Sequence, residues 1–162
     1  MPPLSAPLPT MTQTHHSYTI EDGLAHVDFE RVQVWLASTY WSPNVDRAKV
    51  ERAARHSALV VGAYGAPSAK GGKPEQVGYL RVVSDQTTFA WVCDVYVSEP
   101  HRGAGLARAM VGFAQAHPDL QGLRRWLLAT LDAHAVYAGV GFEPLKNPER
   151  WMAYLPAGPP AV

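Results

Sequence analysis

The stretch from Ala58 to Tyr64 is apolar apart from Gly62, and a bounded run of this length predicts a strand. Gln76–Ser84 predicts the next strand, with a turn near Asp85. Phe89–Val97 predicts a third, and the short connection makes the pair antiparallel. Upstream, Ser17–Ile20 predicts a first strand. Asp28 can cap a helix whose apolar positions include Val32, Trp35 and Leu36. Asn44 can cap a second helix running through Arg55, with Val45 and Val50 facing inward. Downstream of Val97 the expected order is a helix to about His117, stopped by Pro118, and a strand over Arg125–Ala129. A short helix over Asp132–Ala138 then ends at Gly139, and final strands follow over Phe142–Leu145 and Trp151–Leu155. Such an order implies an α/β fold: a single mixed, mostly antiparallel sheet flanked by helices.

The ends and one internal stretch lack this periodicity. Met1–Thr14 carries Pro2, Pro3, Pro7 and Pro9 and is expected to be a disordered tail. Gly65–Pro74 is rich in Gly, Pro, Ala and Lys and reads as a loop or hairpin connection. Residues 156–162 form a second Pro/Gly-rich tail, which leaves one domain over 15–155. There is no internal repeat.

Chemistry concentrates where the third strand meets the following helix. After Val97, the residues Ser98, Glu99 and Pro100 break the strand, and Arg102-Gly103-Ala104-Gly105-Leu106-Ala107 opens the helix. First-turn amides have no internal acceptor and carry the positive end of the helix dipole. Glycines permit close approach to the backbone, and Arg102 adds charge, so the turn suits a phosphate or pyrophosphate. It is not a Walker loop, because Leu106 and Ala107 stand where Lys and Ser or Thr would follow the last glycine. It is not a GxGxxG dinucleotide loop either, because Arg108 replaces the third glycine. An ordinary strand-to-helix turn remains the bland reading.

Composition narrows the classes. The chain has 162 residues, 47% of them hydrophobic, enough for one domain with a proper core. Fourteen basic and fourteen acidic residues balance, so nothing argues for nucleic acid or a membrane surface as partner. No apolar run approaches a spanning helix, and no secretory signal is evident, so a soluble cytoplasmic protein is the default. Cys93 is the sole cysteine, which excludes an internal disulfide; in a central strand it reads as a packed residue rather than a nucleophile. His15 and His16 lack a third ligand nearby and point to no metal site.

A second motif follows at the expected distance. Ala133, Val136 and Tyr137 share one helical face, and Gly141-Phe142 follow. Together with Arg102, Gly105 and Ala107, this A-x-x-x-Y…G-F pattern resembles the GCN5-related N-acetyltransferases (GNAT superfamily). The resemblance spans roughly Tyr18 to Leu155. Tyr40-Trp41, Gly78 to Asp85, Asp94 and Thr130 to His134 look like a bacterial branch of that family. It implies the acyl-CoA N-acyltransferase fold, with two central strands splayed at one end to admit acetyl-CoA. It further implies transfer of the acetyl group to a primary amine of a small molecule or peptide, without a metal. Similar proteins often pair as homodimers through their sheets or C-terminal strands.

Carried over by resemblance, Val95 and Val97 offer backbone groups to pantetheine. Arg102, Gly103, Ala104, Gly105, Leu106 and Ala107 hold the pyrophosphate, and Tyr137 protonates the departing thiolate. Thr130 stands where relatives often carry an asparagine that contacts pantetheine, and offers only a shorter hydroxyl. An attacking amine must be neutral, so a base is wanted. Asp94 is the best candidate if its face is the cleft face; otherwise it bonds nearby backbone or Arg81. Asp85 and Glu99 read more simply as turn residues, and His134 as a surface or capping residue. Tyr40, Trp41 and Arg81, with Trp151 as a further candidate, are expected to line the acceptor pocket. The alternatives are aromatics that plug the core edge and an Arg81 paired with Asp94 or Asp85. A non-catalytic acyl-CoA-binding sensor is the competing function; it would need neither the Tyr137 hydroxyl nor a base.

Overall fold

A computed structural model describes residues 10–156. Of the tails expected over 1–14 and 156–162, residues 1–9 and 157–162 lie outside the described residues. A six-stranded sheet is built from β1 (Thr12–His15), β2 (Tyr18–Asp22), β3 (Leu59–Gly65), β4 (Glu75–Ser84), β5 (Phe89–Val97) and β6 (Arg125–Leu127), in that spatial order. Neighbours are antiparallel except β5 and β6, which run parallel. Helices α1 (Phe29–Ala37) and α2 (Arg47–Arg55) cover one face, and α3 (Leu106–Ala116) covers the other. A short α4 (His134–Ala138) follows β6. The mixed, mostly antiparallel sheet with flanking helices is the class expected.

Each face of the sheet has its own core. Leu106, Met110 and Phe113 of α3 pack on Ile20, Val61, Val77, Leu80 and Val82. Val32 and Leu36 of α1 and Val50 and Ala54 of α2 pack on Val60 and Tyr79. Because α3 and the α1–α2 pair cover opposite faces of β3, all seven of its residues are buried, and its sequence is a continuous apolar run. A fully buried leucine or phenylalanine stabilises by roughly 1.5–3 kcal/mol, so α3 is pinned to the sheet along its length.

The structure corrects several sequence expectations. Thr12–His15, whose first three residues were expected in the tail, is a strand: the two threonines favour extended backbone, and a two-residue turn at His16-Ser17 pairs it with β2. Asn44 does not cap α2. It adopts φ +58°, and Asp46 caps instead, accepting the Lys49 N–H at 2.8 Å. The strand expected over Arg125–Ala129 stops at Leu127. Neither final strand forms; beyond Phe142 the backbone is irregular apart from a 3-10 turn at Pro148–Arg150. Gly141 at φ +92° and Asn147 at φ +58° turn the chain, Pro148 lacks a donor, and Met152 and Tyr154 stay 98% and 88% exposed.

The pairing of β4 with β5 contains the decisive irregularity. Tyr79 opposes Tyr96, but two residues on, Arg81 opposes Cys93. One extra residue is therefore accommodated in β5, a β-bulge, with Asp94 in the left-handed region at φ +54°. Val92 and Val95 consequently both pack toward α3, although they are three apart. Strict alternation, which places Asp94 opposite in facing to both its neighbours, does not hold here.

Gly78 lets α3 approach β4. A Cβ there would stand 3.0 Å from the Ala63 Cβ and 3.0 Å from the Met110 Cε. Gly78→Ala is expected to destabilise by ~1–3 kcal/mol, the cost of overpacking, read as a lower urea midpoint at unchanged m. An unchanged midpoint would show that α3 has slack over the sheet.

Candidate active site

The site begins where strand pairing stops. The parallel ladder of β5 and β6 comprises Phe89–Arg125, Ala90–Trp126 and Trp91–Leu127, and then ends. From Val92 onward β5 has no strand on that side, and a gap opens between its second half and residues 128–133. Tyr40, from the α1–α2 connection, holds those residues back: its hydroxyl accepts the Leu131 N–H at 2.9 Å. The Thr130 hydroxyl accepts the Ala133 N–H at 3.0 Å and so shapes the entry to α4. Two cavities share this gap. One, of about 910 Å³, runs along β5 to the glycine turn; the other, of about 560 Å³, lies toward Trp91 and Arg81. They meet at Val95 and Tyr137, with Tyr40, Trp41, Asp132 and Ala133 around the junction.

The glycine turn closes the first cavity. Gly103 and Gly105 take φ +85° and +75°, conformations that cost glycine nothing. The first α3 bond runs from the Ala109 N–H to the Gly105 carbonyl, so the amides of Leu106, Ala107 and Arg108 precede the helix's own hydrogen bonding. Among the described residues, nothing beyond the chain neighbours lies within 4 Å of the position of a Gly103 Cβ, so the turn's outer side is open. Arg102 donates through Nε to the Val97 carbonyl at 3.0 Å and lies 5.5 Å from the centre of the Tyr96 ring, which itself stacks on Trp35. The arrangement presents unspent donors and positive charge to an anion.

Two contacts from the N-terminal hairpin hold this turn. His15 Nε2 lies 2.7 Å from the Ala104 carbonyl, and the Tyr18 hydroxyl lies 2.9 Å from His101 Nδ1. The His15 and His16 rings touch, centroids 4.4 Å apart, because His16 sits in the turn at φ +53° rather than in a strand. No metal-ligating cluster occurs among the described residues.

The second cavity has a polar floor under aromatic walls. Asp94 Oδ2 accepts from Arg81 Nε at 2.6 Å, and Oδ1 accepts from Trp41 Nε1 at 3.2 Å. Arg81 also reaches Ser57 Oγ at 3.4 Å. Burial works against the Arg81 charge, but the Asp94 carboxylate outweighs it and holds the guanidinium above its ordinary pKa. Burial, then the nearby Tyr40 and Asp132, pushes Tyr137 up to about 12, so its phenol keeps its proton throughout the physiological range. Burial likewise pushes the Cys93 thiol up to about 11, in keeping with a packed, unreactive cysteine.

Most of the residues singled out from sequence come together here. Tyr40, Trp41, Arg81, Asp94, Val95, Thr130 and Tyr137 line the second cavity; Val97, Arg102, Gly103, Gly105, Leu106 and Ala107 line the first. Ala104 stands behind the turn and contributes its carbonyl to His15. Thr130 faces the second cavity rather than the first. Trp151 does not reach the site: it lies under Arg125, 5.3 Å from its guanidinium, beyond β6. Asp85 is a turn residue; the Thr88 hydroxyl and the Thr88, Thr87 and Phe89 amides hold its carboxyl well below the usual range. The contacts of His15, Tyr18 and His101 at the turn escaped the sequence, because each joins distant segments.

This geometry has counterparts. Residues 26–142 match the model of the acetyltransferase (GNAT) family. The chain belongs to the GNAT acetyltransferases. A GNAT protein of Xanthomonas campestris pv. campestris, assigned as an acetyltransferase and solved by crystallography, is 39% identical; the match covers 85% of this chain and 94% of that one, with a TM-score of 0.72. A Deinococcus radiodurans R1 protein, assigned likewise, shares the fold at 19% identity and a TM-score of 0.63, over 93% of this chain and all of its own. A Gibberella zeae protein, FG08082, also assigned as an acetyltransferase, is 41% identical over 61 residues, 36% of this chain. That match spans about a third of the Gibberella protein's length. As a GNAT fold, the chain carries its splayed strands at β5 and β6. No helix among the described residues is long and apolar enough to cross a membrane.

Removing the hairpin's grip tests its importance to the turn. In His15→Ala combined with Tyr18→Phe, backbone order parameters at Gly103–Gly105 are expected to fall from ~0.85 toward ~0.6 by NMR relaxation, with α3 unchanged. Unaltered order parameters would show that the turn is rigid without the hairpin.

Proposed function

We propose that the protein transfers the acetyl group of acetyl-CoA to a primary amine by direct attack within a ternary complex. The observation that carries this reading is the meeting of two cavities at Val95 and Tyr137, one ending in unspent helix amides and the other in a carboxylate. The fit to acetyl-CoA rests on the open side of the glycine turn, the positive charges of Arg102 and Arg108, and the apolar walls from Val95, Val97, Leu106 and Val136. In this reading Arg102 through Ala107 hold the pyrophosphate, and the unpaired side of β5 near Val95 and Val97 takes the pantetheine arm. Thr130, its hydroxyl engaged by Ala133, shapes the wall instead of replacing the relatives' asparagine. Both a small molecule and a peptide amine meet these requirements, and the acceptor's free form is an ordinary amine with a pKa near ~10.4.

Each atom then has a place to go. The neutral amine nitrogen attacks the thioester carbonyl carbon, forming the C–N bond. The carbonyl oxygen becomes an oxyanion, stabilised by a backbone donor near Val95. As the C–S bond breaks, the thiolate takes the phenolic proton of Tyr137, and the nitrogen's surplus proton passes to Asp94 directly or through one water. An ionised carboxylate offers about four acceptor positions, so the contacts to Arg81 and Trp41 leave Asp94 capacity for an amine. The same contacts favour one rival reading: a carboxylate held by two donors also suits a non-catalytic acyl-CoA sensor.

Calorimetry with acetyl-CoA, followed by a thiol-release assay with amines, separates the two: a sensor binds and releases nothing. Tyr137→Phe is expected to lower kcat by ~10²–10⁴ while the Kd for acetyl-CoA stays within about twofold. Equal loss of binding would remove the acid role. Asp94→Asn is expected to lower kcat/KM by ~10² or more near neutral pH, with the deficit shrinking as pH approaches ~10.4, where the amine needs no base. A deficit independent of pH would assign Asp94 to holding Arg81 and Trp41 alone.

A further inference from the structure

The acceptor cavity is unusual in what its walls leave unpartnered. Trp41 and Trp91 each remain 38% exposed, and both line this one concavity, from the α1–α2 connection and from β5. Trp41 is not free to turn away. Its indole N–H is committed to Asp94, and its ring meets Tyr40 edge to face at 4.9 Å. The concavity therefore offers aromatic surface that the described residues leave uncovered, the usual mark of a binding wall for a flat apolar group.

Its charge is equally specific. The ionisable side chains of fixed charge that line it are Arg81, Asp94 and Asp132, one cation against two anions. The cation is balanced internally, since Arg81 Nε stands 2.6 Å from Asp94 Oδ2. An incoming carboxylate would find Arg81 already paired with Asp94 and the unbalanced like charge of Asp132 nearby. An incoming ammonium would find excess negative charge and aromatic faces, both of which attract it.

We infer that the acceptor is a small arylalkylamine: a primary amine, cationic in solution, carried on a flat aromatic body with no carboxylate beside the nitrogen. The inference rests on the acetyltransferase reading above and adds the substrate class. The aromatic body lies against Trp91 and Trp41, and the nitrogen points to Asp94 and the junction with Tyr137. The cavity's volume of about 560 Å³ suits a molecule of this size.

The test uses the full chain with acetyl-CoA and matched acceptors: tryptamine against tryptophan, phenethylamine against phenylalanine, and n-butylamine as an amine without a ring. Binding of acetyl-CoA is measured first and separately. Tryptamine is expected to exceed tryptophan in kcat/KM by about 100-fold and n-butylamine by about tenfold. Trp91→Ala is expected to raise the KM for tryptamine about tenfold while leaving that for n-butylamine and the Kd for acetyl-CoA within about twofold. Trp91→Phe, which keeps an aromatic face, is expected to restore most of the loss. Equal use of tryptophan and tryptamine would overturn the inference. So would a preference for a polyamine or a lysine peptide, or a Trp91→Ala effect equal for both amines, and in those cases the acetyltransferase reading stands. Binding of acetyl-CoA without acetylation of any amine would overturn it in favour of the sensor. Absence of acetyl-CoA binding in the folded protein would remove the acetyltransferase reading itself, and this inference with it.

Discussion

The site depends on the point at which β5 and β6 cease to pair. Three residue pairs hold the strands together, and after Trp91 and Leu127 they separate. A parallel edge left open in this way would ordinarily expose unpaired backbone. Here the exposed edge faces a cleft rather than a flat surface, because Tyr40 ties residues 128–133 to the α1–α2 connection. The second half of β5 presents its unpaired edge along the cleft. The glycine turn at its far end presents first-turn helix amides, so one interruption in a ladder creates both the length and the terminus of the larger cavity.

The bulge in β5 acts in the same place and for a related reason. An extra residue between Cys93 and Tyr96 keeps Val92 and Val95 on the α3 core and sends Asp94 toward Arg81 and Trp41. A left-handed conformation at a non-glycine residue costs of order 1–3 kcal/mol, and the surrounding packing must hold it. The ion pair with Arg81 and the indole bond are part of that restraint. They also make the floor of the second cavity electrically nearly self-contained, leaving Asp132 as its unbalanced charge.

The N-terminal hairpin ties α3 down at both ends. At the start, His15 reaches the Ala104 carbonyl and Tyr18 meets His101. At the end, Asp22 accepts from buried His117 at 2.8 Å, while its other oxygen takes the Met11 N–H at 2.6 Å. Between these anchors α3 lies over Gly78, and the turn that precedes it inherits the helix's position. Loop placement at this site is thus a consequence of core packing combined with two polar ties, and not of the glycines alone.

The sequence by itself determined the elements and the chemistry that local pattern controls. Hydrophobic runs marked β3, β4 and β5, and the spacing of Arg102, Gly105, Ala107, Ala133, Tyr137 and Phe142 marked the family and its cleft. Asp28 was legible as a cap because capping is a local bond. Local signals failed where pairing between distant segments decided the outcome. Thr12–His15 is a strand only because β2 lies beside it, and Trp151–Leu155 is not one because no strand among the described residues pairs with it. The bulge at Asp94 is invisible in a sequence read by strict alternation, since the register is a property of two strands together. The pairing of Arg81 with Asp94, the grip of His15 on the turn, and the placing of Trp41 and Trp91 in one cavity were likewise decided only by the tertiary structure. Each joins groups whose separation in sequence says nothing about their distance in space.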